Sequence, residues 1–274
     1  MVKKVCIAII ASVVLIPGLW AQTVDEIIAK TVQARGGAEK LKSVQSIKTT
    51  ATIAMGPGME APGVMIQKRP GMAHLEFTIQ GLTAVQAYDG KDAWQIMPFM
   101  GKKDAELMSA DESKEMQEMA DLDGPLVDYK AKGNQVEFLG KEKIEGTDAY
   151  KLKVTLKNGD VQTIYIDGDS FLTIREEMKR TVRGTDQDFE SSVGDYKEVN
   201  GIIFPFAVES GVKGGSEKEK ITVSKIELNV PVEDSIFKMP PPAPKTDAPK
   251  TDAPKTDAPK TDAAKPDAPK PPNQ

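Results

Sequence analysis

Lys68-Arg69-Pro70 closes an alternating apolar run, and Asp89-Gly90-Lys91, then Trp94, then Pro98-Phe99 follow it. Pro70 has no N–H to give a sheet ladder, so it marks a strand end. Asp89-Gly90 favours the left-handed φ of a tight hairpin turn, because glycine carries no Cβ to clash there. Trp94 then reads as the buried anchor of the returning strand. This stretch predicts antiparallel hairpins.

The same pattern extends in both directions. Ile47, Thr49, Ala51 and Ile53 alternate with Lys48 and threonines, and Tyr150, Leu152, Val154 and Leu156 alternate with Lys151, Lys153 and Thr155. Leu172, Ile174, Glu176, Met178 and Val182 alternate with Thr173, Arg175, Glu177, Lys179 and Thr181. A period of two with one charged face means antiparallel strands wetted on one side. Turn signals recur at Asn158-Gly159, Asp167-Gly168, Asn200-Gly201 and Gly214-Gly215. About ten or eleven strands are expected, too many for a flat sheet.

Helices precede the strands, and one helical island interrupts them. Thr23 with Glu26 forms a capping box, in which each residue's side chain accepts from the other's backbone N–H. Val24, Ile27, Ile28, Thr31 and Val32 share a helical face, and Gly36-Gly37 ends it. Ala38 to Val44 reads as one more short helix. Ser109 with Glu112 forms a second box, followed by a thin stripe of Met116, Met119 and Ala120. That helix lies between strands, where a lid would lie. The expected class is mainly β (α+β): a large curved antiparallel sheet forming an incomplete β-barrel, closed by an N-terminal helix and a lid helix.

The ends read differently. Met1 to Ala21 is a signal peptide, with Lys3 and Lys4 before the apolar Val5 to Leu19 and cleavage expected after Ala21. Cys6, the one cysteine, would leave with it. A thiol-free chain suits an oxidising compartment and needs no disulfide there. Residues 240–274 carry a Pro-Lys-Thr-Asp-Ala repeat that cannot bury enough surface to offset its ordering entropy. It reads as an extended, disordered spacer reaching at most roughly 90 Å, or as an arm that binds a partner. Residues 22–239 form one domain between these ends. The formal charge of −5 becomes −7 without Lys3 and Lys4. Nucleic acid and anionic membrane surfaces are poor partners for such a chain.

Catalytic chemistry finds little footing. His74 is the one histidine, set in a strand beside Leu75 and Phe77, where a histidine is ordinarily structural. No Gly-x-Ser-x-Gly elbow, phosphate loop or His-Glu-x-x-His occurs. No enzyme activity, cofactor or metal is expected. Met55, Met59, Met65, Met72, Met97 and Met100 are interleaved with large apolar residues. They suit adaptable packing around variable apolar ligands better than Cu(I) ligation. Aromatic residues make up only 5% of the chain, so a barrel of this strand number keeps interior space.

The opening motifs, in their order, resemble those of the LolA-like lipoprotein carriers of the periplasm. So do Gly140-Lys141-Glu142, Tyr165-Ile166-Asp167, Gly194-Asp195-Tyr196, Val199-Asn200-Gly201-Ile202, Phe204-Pro205 and Asp234-Ser235-Ile236-Phe237. The resemblance covers residues 23–240 and implies an incomplete barrel around a hydrophobic cavity. It implies periplasmic binding and transport of lipids or lipoprotein acyl chains, with donor and acceptor proteins at membranes. In those carriers the arginine of Lys-Arg-Pro holds the lid helices shut, a role that falls here on Arg69. An edge-strand arginine in water is the plainer reading of that residue, and a core anchor that of Trp94. The expected ligand cavity is walled by Phe77, Trp94, Met97 and Phe99, with Met116 and Met119 on the lid. Broader members of the family bind lipids or sense envelope stress. The alternative is therefore an envelope sensor or scaffold whose proline-rich tail contacts a partner or the cell wall.

Overall fold

The computed structural model describes residues 23–56, 58–182 and 185–241. The expected signal peptide and the repeats from Pro244 lie outside the described residues.

The chain begins with α1 (Val24–Ala34) and α2 (Ala38–Ser43). Six strands follow: β1 (Ser46–Ala54), β2 (Glu60–Lys68), β3 (Met72–Ile79), β4 (Leu82–Tyr88), β5 (Ala93–Met97) and β6 (Lys102–Leu107). A linking segment carries α3 (Ala110–Met119) and α4 (Tyr129–Lys132). The second run is β7 (Gln135–Ile144), β8 (Thr147–Thr155), β9 (Val161–Asp167), β10 (Thr173–Val182), β11 (Thr185–Val199), β12 (Ile202–Val212) and β13 (Lys218–Leu228). All thirteen strands form one antiparallel sheet in the order β6-β5-β4-β3-β2-β1-β13-β12-β11-β10-β9-β8-β7. The sheet is not closed, and β6 and β7 are its edges. The incomplete barrel expected from the sequence is therefore present, with more strands than the sequence signals.

Both capping boxes form. Glu26 N donates to Thr23 Oγ1 and Thr23 N to Glu26 Oε2 at the start of α1, and Ser109 and Glu112 repeat the arrangement at α3. Gly36, at φ +119°, lets α1 end directly against the turn before β12, since any Cβ there would meet the Gly201 carbonyl oxygen. Ile203 N bonds to Arg35 O across that contact. The turn at Asp89 is held by its own carboxylate, which accepts from the backbone N–H groups of Lys91 and Asp92.

One face of the sheet carries all the helices. Ile27 and Ile28 of α1 pack on Tyr150, Leu152, Val154, Ile164 and Ile166 of β8 and β9. Leu41 of α2 packs with Val44, Ile47, Ile202, Phe204 and Phe206. Met116 of α3 and Ala120 pack on Ala73 and Ala93, small residues that let the helix approach the strands closely. Leu126 belongs to the first cluster and its neighbour Val127 to the second, so the segment after α3 ties both together.

The position of α3 establishes the curvature. It meets β3 and β5 through Met116, yet Glu115 also pairs with Arg180 Nη1 on β10 at 2.5 Å. Six strand spacings separate β3 from β10 in the sheet order, about 29 Å if the sheet were flat. A helix of 10 residues is about 15 Å long and about 10 Å across. Only a curled sheet brings both strands to it.

Met116 is 2% exposed and is the largest buried side chain that α3 contributes. Met116→Ala should cost about 2–3 kcal/mol. The loss should appear as faster amide exchange in residues 110–120, with protection of α1 on β8 and β9 retained. Equal loss of protection in both regions would contradict a separately docked lid.

Candidate functional site: the inner face and Arg69

Arg69 stands just past β2 and reaches three partners. Its Nε donates to Val44 O at 2.7 Å and its Nη2 to Leu41 O at 3.2 Å, satisfying carbonyls at the end of α2. Nη1 and Nη2 grip the two Asp123 carboxylate oxygens at 2.9 and 2.7 Å. This fork-to-fork pairing is the strong form of a charge-assisted hydrogen bond. Asp123 lies in the segment after α3, so one guanidinium ties β2 to α2 and to that segment. Arg35 adds a bond from Nη1 to Asp123 O at 2.8 Å, and Gln67 Nε2 donates to Met119 O at the end of α3. Arg69 is thus no free edge-strand arginine. Its side chain is 27% exposed and that of Asp123 10%, so water screens the pair only partly.

Burial alone would push the Asp123 carboxyl up. The hydrogen bonds and charge of Arg69, helped by Lys132 and Arg35, outweigh it and hold the group below its ordinary range.

Across the sheet, antiparallel partners share a face. Leu75, Met65, Thr49 and Ile226 form one row across β3, β2, β1 and β13. Phe77, Gly63, Ala51 and Val223 form the next. Ala61, Ile53, Ile221, Val208 and Val193 form a third, running through β13 into β12 and β11. Ala73, beneath α3, is on the same face by alternation, so these rows continue the floor that α3 covers. Leu75, Met65, Phe77, Ile53, Ile221, Val208 and Val193 are each half-buried and belong to none of the buried clusters.

Phe77 and Met97 share this inner face, since Ala73, Tyr88 and Ala93 are paired in register and each lies an even number of residues away along its strand. Met97 is 7% exposed. Phe99, 38% exposed, follows β5 and sets its ring 6.0 Å from that of Phe77. Met116 and the half-buried Met119 lie on the inward side of α3. Trp94 is not with them. It alternates with Ala93 and Gln95, faces the outside of the sheet, and donates from Nε1 to Phe237 O at 2.8 Å. His74 is on that outer face too, with Nδ1 2.8 Å from Ile236 O and Nε2 2.9 Å from Glu76 Oε1. Both residues anchor the C-terminal turn Asp234–Phe237. The wall expected at Phe77, Trp94, Met97 and Phe99 therefore loses Trp94, because a one-residue step in a strand reverses the face.

A cavity of about 190 Å³ lies deeper, between α1, residues 124–127 and strands β9 to β12. Val32, Leu126, Ile164, Val193 and Pro205 give it apolar walls, and Arg35, Glu176 and Tyr196 line it as well. None of these polar residues was singled out from the sequence as a site residue. Among the described residues, no group of three or more acidic or histidine side chains is placed to hold a metal ion.

No protein-family model matches the sequence, and no curated protein matches it. Solved structures do. A DUF1329 family protein from Desulfovibrio piger aligns with a TM-score of 0.54 at 12% identity, over 78% of this chain and 97% of that one. A LolA superfamily protein from Nitrosomonas europaea aligns at 0.54 and 15% identity, over 80% and 98%. A domain described as a putative outer membrane lipoprotein-sorting protein, from Vibrio parahaemolyticus, aligns at 0.50 and 12% identity, over 77% and 94%.

The depressed Asp123 carboxyl sets the sign of a pH test. Its contribution is whole above the ordinary value of 3.8 and is lost as pH falls through the lowered one. Asp123→Asn should cost about 1–3 kcal/mol at neutral pH. The melting-temperature gap to the wild type should stay level down to about pH 4 and close below it. A gap that widens on acidification would contradict the pairing. By its sheet, its inner helices and these alignments, the chain has a LolA-like fold.

Proposed function

We propose that this protein binds acyl chains of lipids or lipoproteins on the inner face of its half-barrel and carries them within the cell envelope, without bond chemistry. The observation that carries this reading is the set of half-buried apolar rows beside α3, from Leu75 and Phe77 to Val193. They continue the floor of the α3 contact, so a small outward movement of the lid opens more apolar surface to a ligand. Each methylene buried there is worth about 0.8 kcal/mol, so a single chain supplies ample affinity. The fold it shares with a LolA superfamily protein and with a lipoprotein-sorting domain supports the reading. The leader read from the sequence supports an envelope location.

Arg69 is the proposed latch. In this scheme the lid-closed state competes with the ligand for the inner face, and the bonds to Asp123, Leu41 and Val44 favour closure. Weakening the latch raises the fraction of binding-competent molecules, and with it the apparent affinity. Release is the reverse step, driven by reclosure or by a partner at the acceptor membrane. Phe77, Met97, Phe99, Met116 and Met119 form the proposed ligand-contacting set, and the methionines adapt to chains of different shape.

Native mass spectrometry of protein exported in bacteria should reveal co-purifying lipid, and a fluorescent fatty acid should bind the delipidated protein. Phe77→Asp should weaken that probe at least tenfold, since it places a charge among the apolar rows. Arg69→Leu should tighten it severalfold. Absence of both co-purified lipid and probe binding would refute the proposal.

A further inference from the structure

The deep cavity contains an unexplained polar group. Glu176 sits on β10, opposite Ile164 in the β9 register, and so points to the helix-bearing side of the sheet. Among the described residues its carboxyl makes no hydrogen bond and no ion pair within 4.0 Å, although it lines a cavity with a guanidinium. Arg35 uses one Nη for the Asp123 carbonyl, and Tyr196 donates its hydroxyl to Thr173 O at 2.6 Å. The phenol oxygen can still accept a bond, and the rest of the guanidinium can still donate. Burial pushes the Glu176 carboxyl up, the charge of Arg35 opposes this, and Glu118 adds to it. Burial likewise lowers the Arg35 guanidinium, against the charges of Tyr196, Asp123, Asp121 and Glu176.

Glu176 is only partly exposed, and a carboxyl drawn away from bulk water without a fixed protein partner costs free energy unless something satisfies it. An acceptor and a donor of opposite charge line one space without touching. A second anion there would face Glu176, and a second cation would face Arg35. A neutral group that both donates and accepts satisfies both ends. The cavity volume of about 190 Å³ exceeds what one or two waters fill and is ample for a group of about six heavy atoms. Val193 lines this cavity and also ends the third apolar row, paired with Val208 and through it with Ile221. Polar space and apolar floor therefore meet at Val193.

We propose that this cavity receives the polar end of a single-chain acyl ligand whose head is neutral and carries both hydrogen-bond donors and acceptors. Glu176 takes the head's donor, Arg35 and the Tyr196 oxygen take its acceptor and hydroxyl, and the chain runs from Val193 along the third row. The inference rests on the acyl-binding reading and adds selection by head group. Two sources share this chemistry, a glycerol ester and an acyl amide.

The test is competition against the fluorescent fatty acid by four twelve-carbon ligands: 1-monolauroylglycerol, N-lauroylethanolamine, lauric acid and methyl laurate. The first two should bind at least tenfold tighter than methyl laurate, which lacks a donor, and than lauric acid, which is anionic at neutral pH. Which of the two leads identifies the source. Glu176→Leu should abolish their advantage while leaving methyl laurate within twofold, and Glu176→Gln should keep most of it. The leucine variant should stay folded, with a melting temperature close to that of the wild type, because the substitution removes no hydrogen bond or ion pair. Equal binding of all four ligands, or an advantage that survives in Glu176→Leu, overturns head-group selection while acyl binding stands. Failure of every ligand and of the probe overturns both.

Discussion

An open sheet of thirteen strands must cover one long face, and this chain has little helix with which to do it. α1 and α3 have 11 and 10 residues, and α2 only 6. That shortage organises the molecule. Curling lets three short helices reach both halves of the sheet, and alanines at 73 and 93 bring α3 close to its floor. The rows from Leu75 and Phe77 to Val193 remain only half-buried. A folded chain keeps such surface inside a fold, away from other chains, when exposing it outside would invite association.

The lid is fastened by different physics from the core. α1 lies on a bed of Ile, Leu, Val and Tyr side chains, a contact that is non-directional. α3 has Met116 and Ala120 for apolar contact and depends otherwise on directional bonds: Gln67 to Met119 O, Glu115 to Arg180, and the Arg69–Asp123 pair just beyond it. Directional, partly hydrated bonds are lost together when the geometry shifts, whereas apolar contacts weaken gradually. In the proposed scheme α3 is therefore the element that leaves without unfolding what lies beneath. Arg69 is central because it joins three segments distant in sequence: β2, the end of α2, and the loop after α3.

Much of this was legible in the sequence, for local reasons. Capping boxes are read from residues three apart, and the Pro70 and Gly90 positions follow from backbone chemistry alone. The curled sheet followed from counting strands against helices. Two kinds of feature were not legible. β6 begins Lys102-Lys103-Asp104 and has no apolar alternation, so nothing but its backbone pairing with β5 marks it as a strand. An edge strand needs only one partner and so leaves a faint signal. Trp94 illustrates the other kind. Its burial was correctly expected, but its face depends on register with Leu107 and Ala87, set by turn geometry that composition does not encode. The partners of Arg69 and the grouping of Arg35, Glu176 and Tyr196 arise from contacts between residues far apart in the chain, which periodicity cannot reveal.

Glu176 appeared in the sequence only as a polar interruption among Leu172, Ile174, Met178 and Val182. Register gives that interruption its meaning. Ile174 packs on the outer face with Ile144, Ala149 and Tyr165, while Glu176 faces the cavity beneath α1. The strand thus shifts from apolar outside to charged inside within two residues. A chain selected only to close its core would place valine or leucine there, since a half-buried carboxyl without a protein partner gives up apolar burial. The same segment, residues 123–127, both answers Arg69 through Asp123 and walls the cavity through Leu126 and Val127. In the proposed scheme, parting of the Arg69–Asp123 pair therefore reaches the polar cavity as well as the apolar rows. Head and tail of an acyl ligand would be released by one movement, which couples selectivity to the lid without a separate switch.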